Sequence, residues 1–398
     1  MKVLITTDVY DSIINGVAVS IANLIVGLKA QGHEVKVLTL SKDIRSHKQD
    51  NIYYVNSFPL KIYPDARATF SFKHQYIKEL EAWKPDIIHS QCEFFSFMFA
   101  KKLADHLNIP IVHTYHTLYE YYTHYFIPSK RLGKKVVSKG TRLICKHVDS
   151  VIAPTEKTAS ILRSYDINVP IITIPTGISL RHLQKEVTPL EIHSLKARYA
   201  IPADSTVLLT IGRVGKEKNI EELIDYMARP EIQQMPFVFV IVGDGPNRTA
   251  LENKVSQLSL QSCVKFTGKI PPEDIYRYYR LGDIFVSASS SETQGLTYIE
   301  ALACGLPLVC KKDSCLDEVI FNNYNGIQYD TPDTFIEAVL NIQANEVLRK
   351  AMSNGAKLIA EKYSNEVFGK KVAKLYQDTL AQYNSTQFTK QASSNIAL

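Results

Sequence analysis

Short, almost entirely apolar segments alternate with amphipathic helical stretches along most of the chain, and this alternation restricts the fold more than any other feature. In the first half the segments are Val3–Thr7, Glu34–Leu40, Ile52–Val55, Asp86–Ser90, Ile111–Thr114, Ser150–Ala153 and Ile171–Ile174, with helical stretches such as Val19–Gln31 and Phe97–Leu107 between them. The second half repeats the theme with Val207–Ile211, Phe237–Val242, Val264–Phe266, Ile284–Ala288 and Leu306–Cys310. Strands that are apolar on both faces belong to parallel sheets covered by helices on both sides. Around Thr176 to Pro202 the alternation gives way to a polar stretch with one short helix, Glu191–Tyr199. A chain of 398 residues also exceeds one ordinary core. The expected architecture is α/β: two facing, Rossmann-like, doubly wound parallel-sheet domains over residues 1–180 and 181–364. A closing amphipathic helix, 365–384, is expected to cross back to the first domain, followed by a disordered polar tail, 385–398. Ligands of such sheets bind at the C-terminal ends of the strands, here expected at a central cleft between the domains.

An apolar fraction of 45% and a charged fraction of 22% are those of a soluble globular protein. No run approaches the roughly 20 apolar residues of a spanning helix. Met1 to Asp8 reads as a strand ending in an acid rather than as a signal peptide. The six cysteines show neither CxxC nor metal-ligand spacing, which fits buried thiols in a reducing cytosol. Positive charge is uneven: residues 1–180 hold 22 Lys/Arg against 15 Asp/Glu, so the excess of the whole chain (46 against 40) lies in the first half. Much of it is one run: Lys130, Arg131, Lys134, Lys135, Lys139, Arg142 and Lys146.

Three successive strand ends of the second half carry chemistry. The segment Ser291 to Glu300 sets Glu292 and Glu300 eight residues apart across Gly295, between a strand and a helix starting near Leu296 and Thr297. Exposed amides at that helix start suit a phosphate, and the carboxylates suit sugar and ribose hydroxyls. After Val207–Ile211, Arg213 and Lys218 are close enough in sequence to reach one diphosphate, Arg through paired N–H bonds and Lys as a point charge. After Phe237–Val242, Gly243-Asp244-Gly245-Pro246 lets backbone approach a ligand. Each alone is weak; in order, they read as a nucleotide-sugar site. No Asp-x-Asp stands ready for a metal, so no obligatory metal ligand is expected, and Mg2+ is left the role of a stimulant acting through the diphosphate or the lipid headgroups.

This series resembles the retaining glycosyltransferases of the GT-B fold, family 4. Gly212-Arg213 with Lys218, Val242 to Pro246, and Glu292-x7-Glu300 match it, and Asp11 to Ala18 resembles its N-terminal glycine loop. The match runs from Met1 to about Tyr383. The chain departs at Thr293-Gln294, where many members have Ser-Phe, and at Asn15-Gly16, where they have two glycines. The resemblance implies that Glu300 binds ribose and Glu292 the donor sugar. It implies that Arg213 and Lys218 neutralise the leaving diphosphate with the amides of Leu296 and Thr297. Gln294, Gly295, Gly243 and Gly16 join the donor site, Gly16 by admitting its loop to the phosphates. His116 would contact the sugar near its reacting carbon. A packed ring is the plainer alternative for that histidine. No tightly bound cofactor is implied.

Following His116, the run Thr117 to Phe126 holds four tyrosines, among them Tyr119, Tyr122 and Tyr125, with Glu120. On a helical wheel Arg131, Lys135, Lys139, Arg142 and Lys146 gather opposite Leu132, Val136, Leu143 and Ile144. Such a helix suits an anionic phospholipid surface, with its apolar face expected to pack on the domain and only the cations facing out. A solvated basic helix is the bland alternative, and nucleic acid is disfavoured for want of a recognition module. Within family 4, His116 to Tyr125 and Glu292 to Thr297 resemble bacterial diacylglycerol glucosyltransferases. That resemblance implies UDP-glucose as donor, diacylglycerol as acceptor, and a peripheral, monotopic place on the cytoplasmic face of the membrane; no protein partner is evident. A glycosylated lipid, a teichoic-acid-type polymer or a soluble acceptor stays open, as does a non-enzymatic binding or scaffold role.

Overall fold

A computed structural model describes residues 1–396 apart from 11–15, 44, 61–66 and 122–128. Two compact units emerge: Met1–Gly177 together with Asn365–Leu398, and Ile178–Ser364. The first holds β1 (Lys2–Thr7), β2 (Glu34–Leu40), β3 (His47–Gln49), β4 (Ile52–Val55), the small hairpin β5 (Phe58–Pro59) and β6 (Arg67–Ala68), β7 (Ile87–Ser90), β8 (Ile111–Thr114), β9 (Ser150–Ala153) and β10 (Ile171–Thr173). The second holds β11 (Thr206–Ile211), β12 (Phe237–Val242), β13 (Val264–Gly268), β14 (Ile284–Ser287), β15 (Leu308–Lys311) and β16 (Gly326–Tyr329).

The first sheet runs β10-β9-β8-β7-β1-β2-β4-β3, parallel except for the β3–β4 edge. The second runs β13-β12-β11-β14-β15-β16. In each sheet the chain winds one way from its first strand and then returns to wind the other way. The order reverses between β1 and β7 in the first sheet and between β11 and β14 in the second. Two doubly wound parallel sheets are therefore present, as the apolar alternation predicts. Edge strands β3 and β16 escaped the sequence because β3 buries none of its three residues, β16 only two of its four, and neither has an apolar run.

Alternate residues of each strand feed opposite faces. Val3 and Ile5 join one core with the Gly16–Lys29 and C-terminal helices, while Leu4 joins the other with the Phe95–Leu107 helix. The second sheet is covered likewise: Leu209 and Phe285 pack under the Leu296–Ala303 helix, and Leu208 and Val286 pack on the other side.

The C-terminal helix, Asn365–Ile396, closes on the Gly16–Lys29 helix through a glycine-on-glycine contact. A Cβ at Gly27 would lie 2.3 Å from the Asn365 carbonyl, and one at Gly369 would lie 2.5 Å from the Gly27 carbonyl carbon. Tyr376 Oη reaches His89 Nδ1 at 2.6 Å, and Thr379 meets Ser150 at 3.1 Å. The polar stretch expected to be disordered instead continues this helix to Ile396. It contains no Gly or Pro to break the turn, and Ser385, Thr386 and Thr389 donate their hydroxyls back to carbonyls within the helix.

Candidate active site

The switch point of the second sheet gathers Arg213, Lys218, Glu292 and Thr297, residues expected to hold the donor. The chain leaves β11 through Gly212 and Arg213, turns through Lys216–Lys218, and enters the Ile220–Met227 helix after Asn219, whose φ is 50°. From the neighbouring β14 it passes Glu292 and Gly295 into the Leu296–Ala303 helix. Gly295 has φ +72°, and a Cβ there would stand 2.3 Å from the Tyr298 ring, so glycine alone permits this helix start. Arg213, Lys218, Glu292 and Thr297 line one cleft between these two strand ends.

Within it, each cation has a carboxylate. Lys218 Nζ donates to Glu292 Oε1, and Arg213 Nε lies 3.4 Å from Glu217 Oε1. Ser289 Oγ donates to the same Glu292 oxygen at 2.9 Å, and Ser291 Oγ donates to the Glu217 carbonyl at 3.2 Å, tying the two loops together. A bound diphosphate would draw Lys218 and Arg213 from these carboxylates.

Asn219 is held in turn. Its side chain donates to Glu222 at 2.6 Å, and Glu222 also receives Lys311 at 2.6 Å and the Tyr226 hydroxyl at 2.6 Å. This buttress fixes the residue next to Lys218, and no sequence motif announced it. Gly243 and Gly245 have a use beyond the expected one. A Cβ at Gly243 would fall 1.9 Å from the Gly212 carbonyl oxygen, and one at Gly245 would fall 2.5 Å from that of Val214. These glycines let the two loops pack on each other, with Val214 N–H donating to Asp244 O at 3.0 Å.

Glu300 stands one turn into the Leu296–Ala303 helix and accepts from Tyr279 Oη at 2.6 Å. Burial pushes its carboxyl up to about 7, with the tyrosine hydrogen bond working the other way. Gln294 is buried beside the helix start.

In the first unit, His116 follows β8 and its Nε2 lies 2.7 Å from Gln91 Oε1. An amide oxygen only accepts, so Nε2 carries the proton and Nδ1 keeps its lone pair. Burial, with His113 adding to it, lowers the His116 pKa to about 4, so the ring is neutral. Tyr119 Oη donates to Glu93 Oε2 at 2.7 Å, and Tyr165 Oη donates to Glu120 Oε2 at 2.8 Å. Gly16 opens its helix, exposed, with open space where a Cβ would be. Residues 11–15 of the glycine loop, Tyr122 and Tyr125 lie outside the described residues, as does the side chain of Lys130.

Comparison with known proteins turns this geometry into a classification. The family model for Glycosyltransferase Family 4 matches residues 14–182, and that for Glycosyl transferases group 1 matches residues 191–383. An alpha-monoglucosyldiacylglycerol synthase of Streptococcus pneumoniae is 32% identical over 96% of this chain and 87% of its own length. This chain belongs to glycosyltransferase family 4. A second alpha-monoglucosyldiacylglycerol synthase, from Acholeplasma laidlawii, is 29% identical over 96% of this chain and 98% of its own. Among solved structures, a sucrose-phosphate synthase from Thermosynechococcus elongatus aligns over 96% of this chain and 99% of its own with a TM-score of 0.75 at 21% identity. Anabaena HepE in complex with UDP-glucose aligns over 95% of this chain and 100% of its own with a TM-score of 0.73 at 15% identity. The fold of this glycosyltransferase is GT-B.

The basic helix, Lys130–Cys145, corrects one expectation about the family 4 chain. Leu132, Val136 and Leu143 do not pack on the domain; they are 54%, 52% and 53% exposed. Gly133, Thr141 and Cys145 are buried instead, with Val137 and Ile144 partly so. The helical wheel separates polar from apolar but does not tell which arc meets the protein, and the small residues allow the closer approach. The exposed face therefore carries aliphatic side chains among Arg131, Lys134, Lys135, Lys139 and Arg142, the last within 3.9 Å of Asp166. Among the described residues no helix is long and apolar enough to cross a membrane.

Proposed function

We propose that this glycosyltransferase moves glucose from UDP-glucose to 1,2-diacylglycerol with retention, giving α-monoglucosyldiacylglycerol, as a peripheral protein on the cytoplasmic face of the bacterial membrane. The observation that carries the proposal is the exposed face of the Lys130–Cys145 helix, where leucine and valine side chains stand among cations. A soluble acceptor gives no reason to expose three aliphatic side chains there, whereas an anionic bilayer accepts both kinds, each cation contributing about 1 kcal/mol near the surface. Two relatives spanning nearly the whole chain bear the name alpha-monoglucosyldiacylglycerol synthase, which supports the same acceptor.

The chemistry follows from charge. As the sugar–phosphate bond breaks, negative charge builds on the diphosphate, and cations already in place stabilise that state without reorganising. Lys218, Arg213 and the amides of Leu296 and Thr297 supply this. Glu292 orients the sugar hydroxyls once Lys218 has turned to phosphate, Glu300 holds the ribose, and His116 contacts the sugar near its reacting carbon. Mg2+ would assist through the diphosphate.

The test is transfer of labelled glucose from UDP-glucose to diacylglycerol in vesicles with and without phosphatidylglycerol. Glycolipid forms in the anionic vesicles, and activity falls as salt screens the surface. Equal turnover of a soluble or polymeric acceptor without vesicles would refute the lipid assignment, and binding of UDP-glucose without turnover would refute the enzymatic one.

A further inference from the structure

The switch point of the first sheet, between β1 and β7, holds a polar cluster that the donor chemistry touches only through the Gln91–His116 hydrogen bond. β1 ends at Thr7, and Asp8 follows it; β7 ends at Ser90, and Gln91, Cys92 and Glu93 follow it. Gln91 N–H donates to the Thr6 carbonyl at 2.9 Å, so the two strand ends lie side by side. In a doubly wound sheet this crevice is where ligands bind.

The side chains there are buried and incompletely paired. Glu93 is 9% exposed; Oε2 accepts from Tyr119, while Oε1 has no hydrogen-bond partner and stands 3.6 Å from His113 Nε2, itself unpartnered. Asp8 is 7% exposed; Oδ1 accepts from the Ser96 N–H at 2.8 Å, and Oδ2 has no partner. Gln91 is 2% exposed; its oxygen takes His116, and its Nε2 has no partner. Folded proteins pair nearly all such atoms, because a bare one gives up its water without gaining a partner. Three of them, the Asp8 and Glu93 oxygens and the Gln91 nitrogen, follow the ends of β1 and β7 and mark a place shaped for something that hydrogen-bonds; His113 Nε2, on β8, faces Glu93 Oε1.

The mixture selects its chemistry. Two carboxylate oxygens accept and one amide nitrogen donates, a set that suits a hydroxyl, which does both. Two carboxyl groups side by side would repel a phosphate or carboxylate. Burial pushes the Asp8 carboxyl up to about 6, with the Glu93 charge adding to the rise, so a further anion there is costly. Phe94 and Met98, at the adjoining helix start, are 58% and 52% exposed, and the Phe94 ring sits 6.0 Å from that of Tyr119. Hydrocarbon next to the hydroxyl would find apolar cover on them.

We propose that Glu93 receives the hydroxyl of the acceptor alcohol at this crevice, with Asp8 and Gln91 completing the hydroxyl-binding subsite. The proposal rests on the alcohol acceptor inferred above and names the residues that hold it.

The test compares the parent full-length protein with Glu93→Gln and Asp8→Asn, using UDP-glucose and dioleoylglycerol in vesicles containing phosphatidylglycerol. In Glu93→Gln the amide oxygen can still accept from Tyr119, so the local hydrogen bond survives. The acceptor KM of Glu93→Gln rises by about tenfold or more, while UDP affinity by calorimetry stays within about twofold and the thermal midpoint holds. Asp8→Asn shifts acceptor kinetics in the same direction. Parent-like acceptor kinetics in Glu93→Gln would overturn the subsite. So would joint loss of UDP affinity and thermal midpoint, which would reduce Glu93 to a structural brace. Failure of the lipid reading shows in the parent itself; if the parent uses a soluble alcohol instead, the same comparison is made with that alcohol.

Discussion

With Glu300 on the ribose, as proposed, donor binding becomes a titratable event. Its carboxyl is pushed up to about 7 by burial, so near neutrality about half the free protein carries it protonated. Ribose hydroxyls donate their hydrogens, and the ionised carboxylate is the better acceptor for both. Binding therefore favours the charged form, lowers the pKa and releases a proton, so affinity is full well above the pKa of about 7 and declines as pH falls through it. If only the ionised form binds, the apparent Kd scales as one plus ten to the power of the pKa minus the pH. Between pH 8 and pH 6 that amounts to about tenfold weaker binding of UDP-glucose. The pyrophosphate of UDP-glucose does not titrate in this window, which makes it a better probe than UDP. Calorimetry at both pH values, in two buffers of different ionisation enthalpy, reads the affinity and the proton release together. Glu300→Gln binds more weakly and loses the pH slope. Tyr279→Phe, which removes the 2.6 Å hydrogen bond that favours the ionised form, moves the slope to higher pH. A flat affinity from pH 6 to 8, or an unchanged slope in Glu300→Gln, would refute the reasoning.

Replacing Gly27 or Gly369 with Ala forces the Gly16–Lys29 and C-terminal helices apart, because the new Cβ meets backbone rather than a flexible side chain. A loss of about 1–3 kcal/mol is expected in urea unfolding of the first unit, and an unchanged midpoint would contradict the close contact. Gln91→Glu puts a carboxylate against His116 and raises the pH at which that ring titrates, from about 4 toward the ordinary histidine range, read by NMR of the imidazole protons. An unmoved titration would mean that the two side chains do not touch in solution. Changing Leu132, Val136 and Leu143 together to Ser leaves the thermal midpoint nearly unaltered, since all three are exposed, but reduces flotation with anionic vesicles. Changing Lys134, Lys135 and Lys139 to Glu reduces flotation further and removes its salt dependence; unaltered flotation in both would refute a membrane role for this helix.

Both sheets were legible because their strands are apolar on both faces, and a central parallel strand has few other ways to look. The residues proposed to hold the donor were legible for a related reason: Arg213, Lys218, Glu292 and Glu300 follow strand ends at short, local spacings. Contacts made by residues distant in sequence left no such mark. Lys218 takes Glu292 from 74 positions away, and Lys311 reaches Glu222 from 89. Asp8 feels the Glu93 charge only because β1 and β7 are neighbours across the reversal of winding.

Local chemistry, then, suffices for strands and helices, since these depend on side-chain period and on groups a few residues apart. The C-terminal tail shows the limit even there: polarity suggested disorder, but a stretch without glycine or proline remained helical to Ile396. Which arc of the basic helix faces the protein was decided by packing, where Gly133, Thr141 and Cys145 allow the close approach that leucine and valine would prevent. The ionisation of Glu300 and His116 was decided the same way, because a pKa reflects the water excluded by neighbours from elsewhere in the chain, and only the folded arrangement brings those neighbours in.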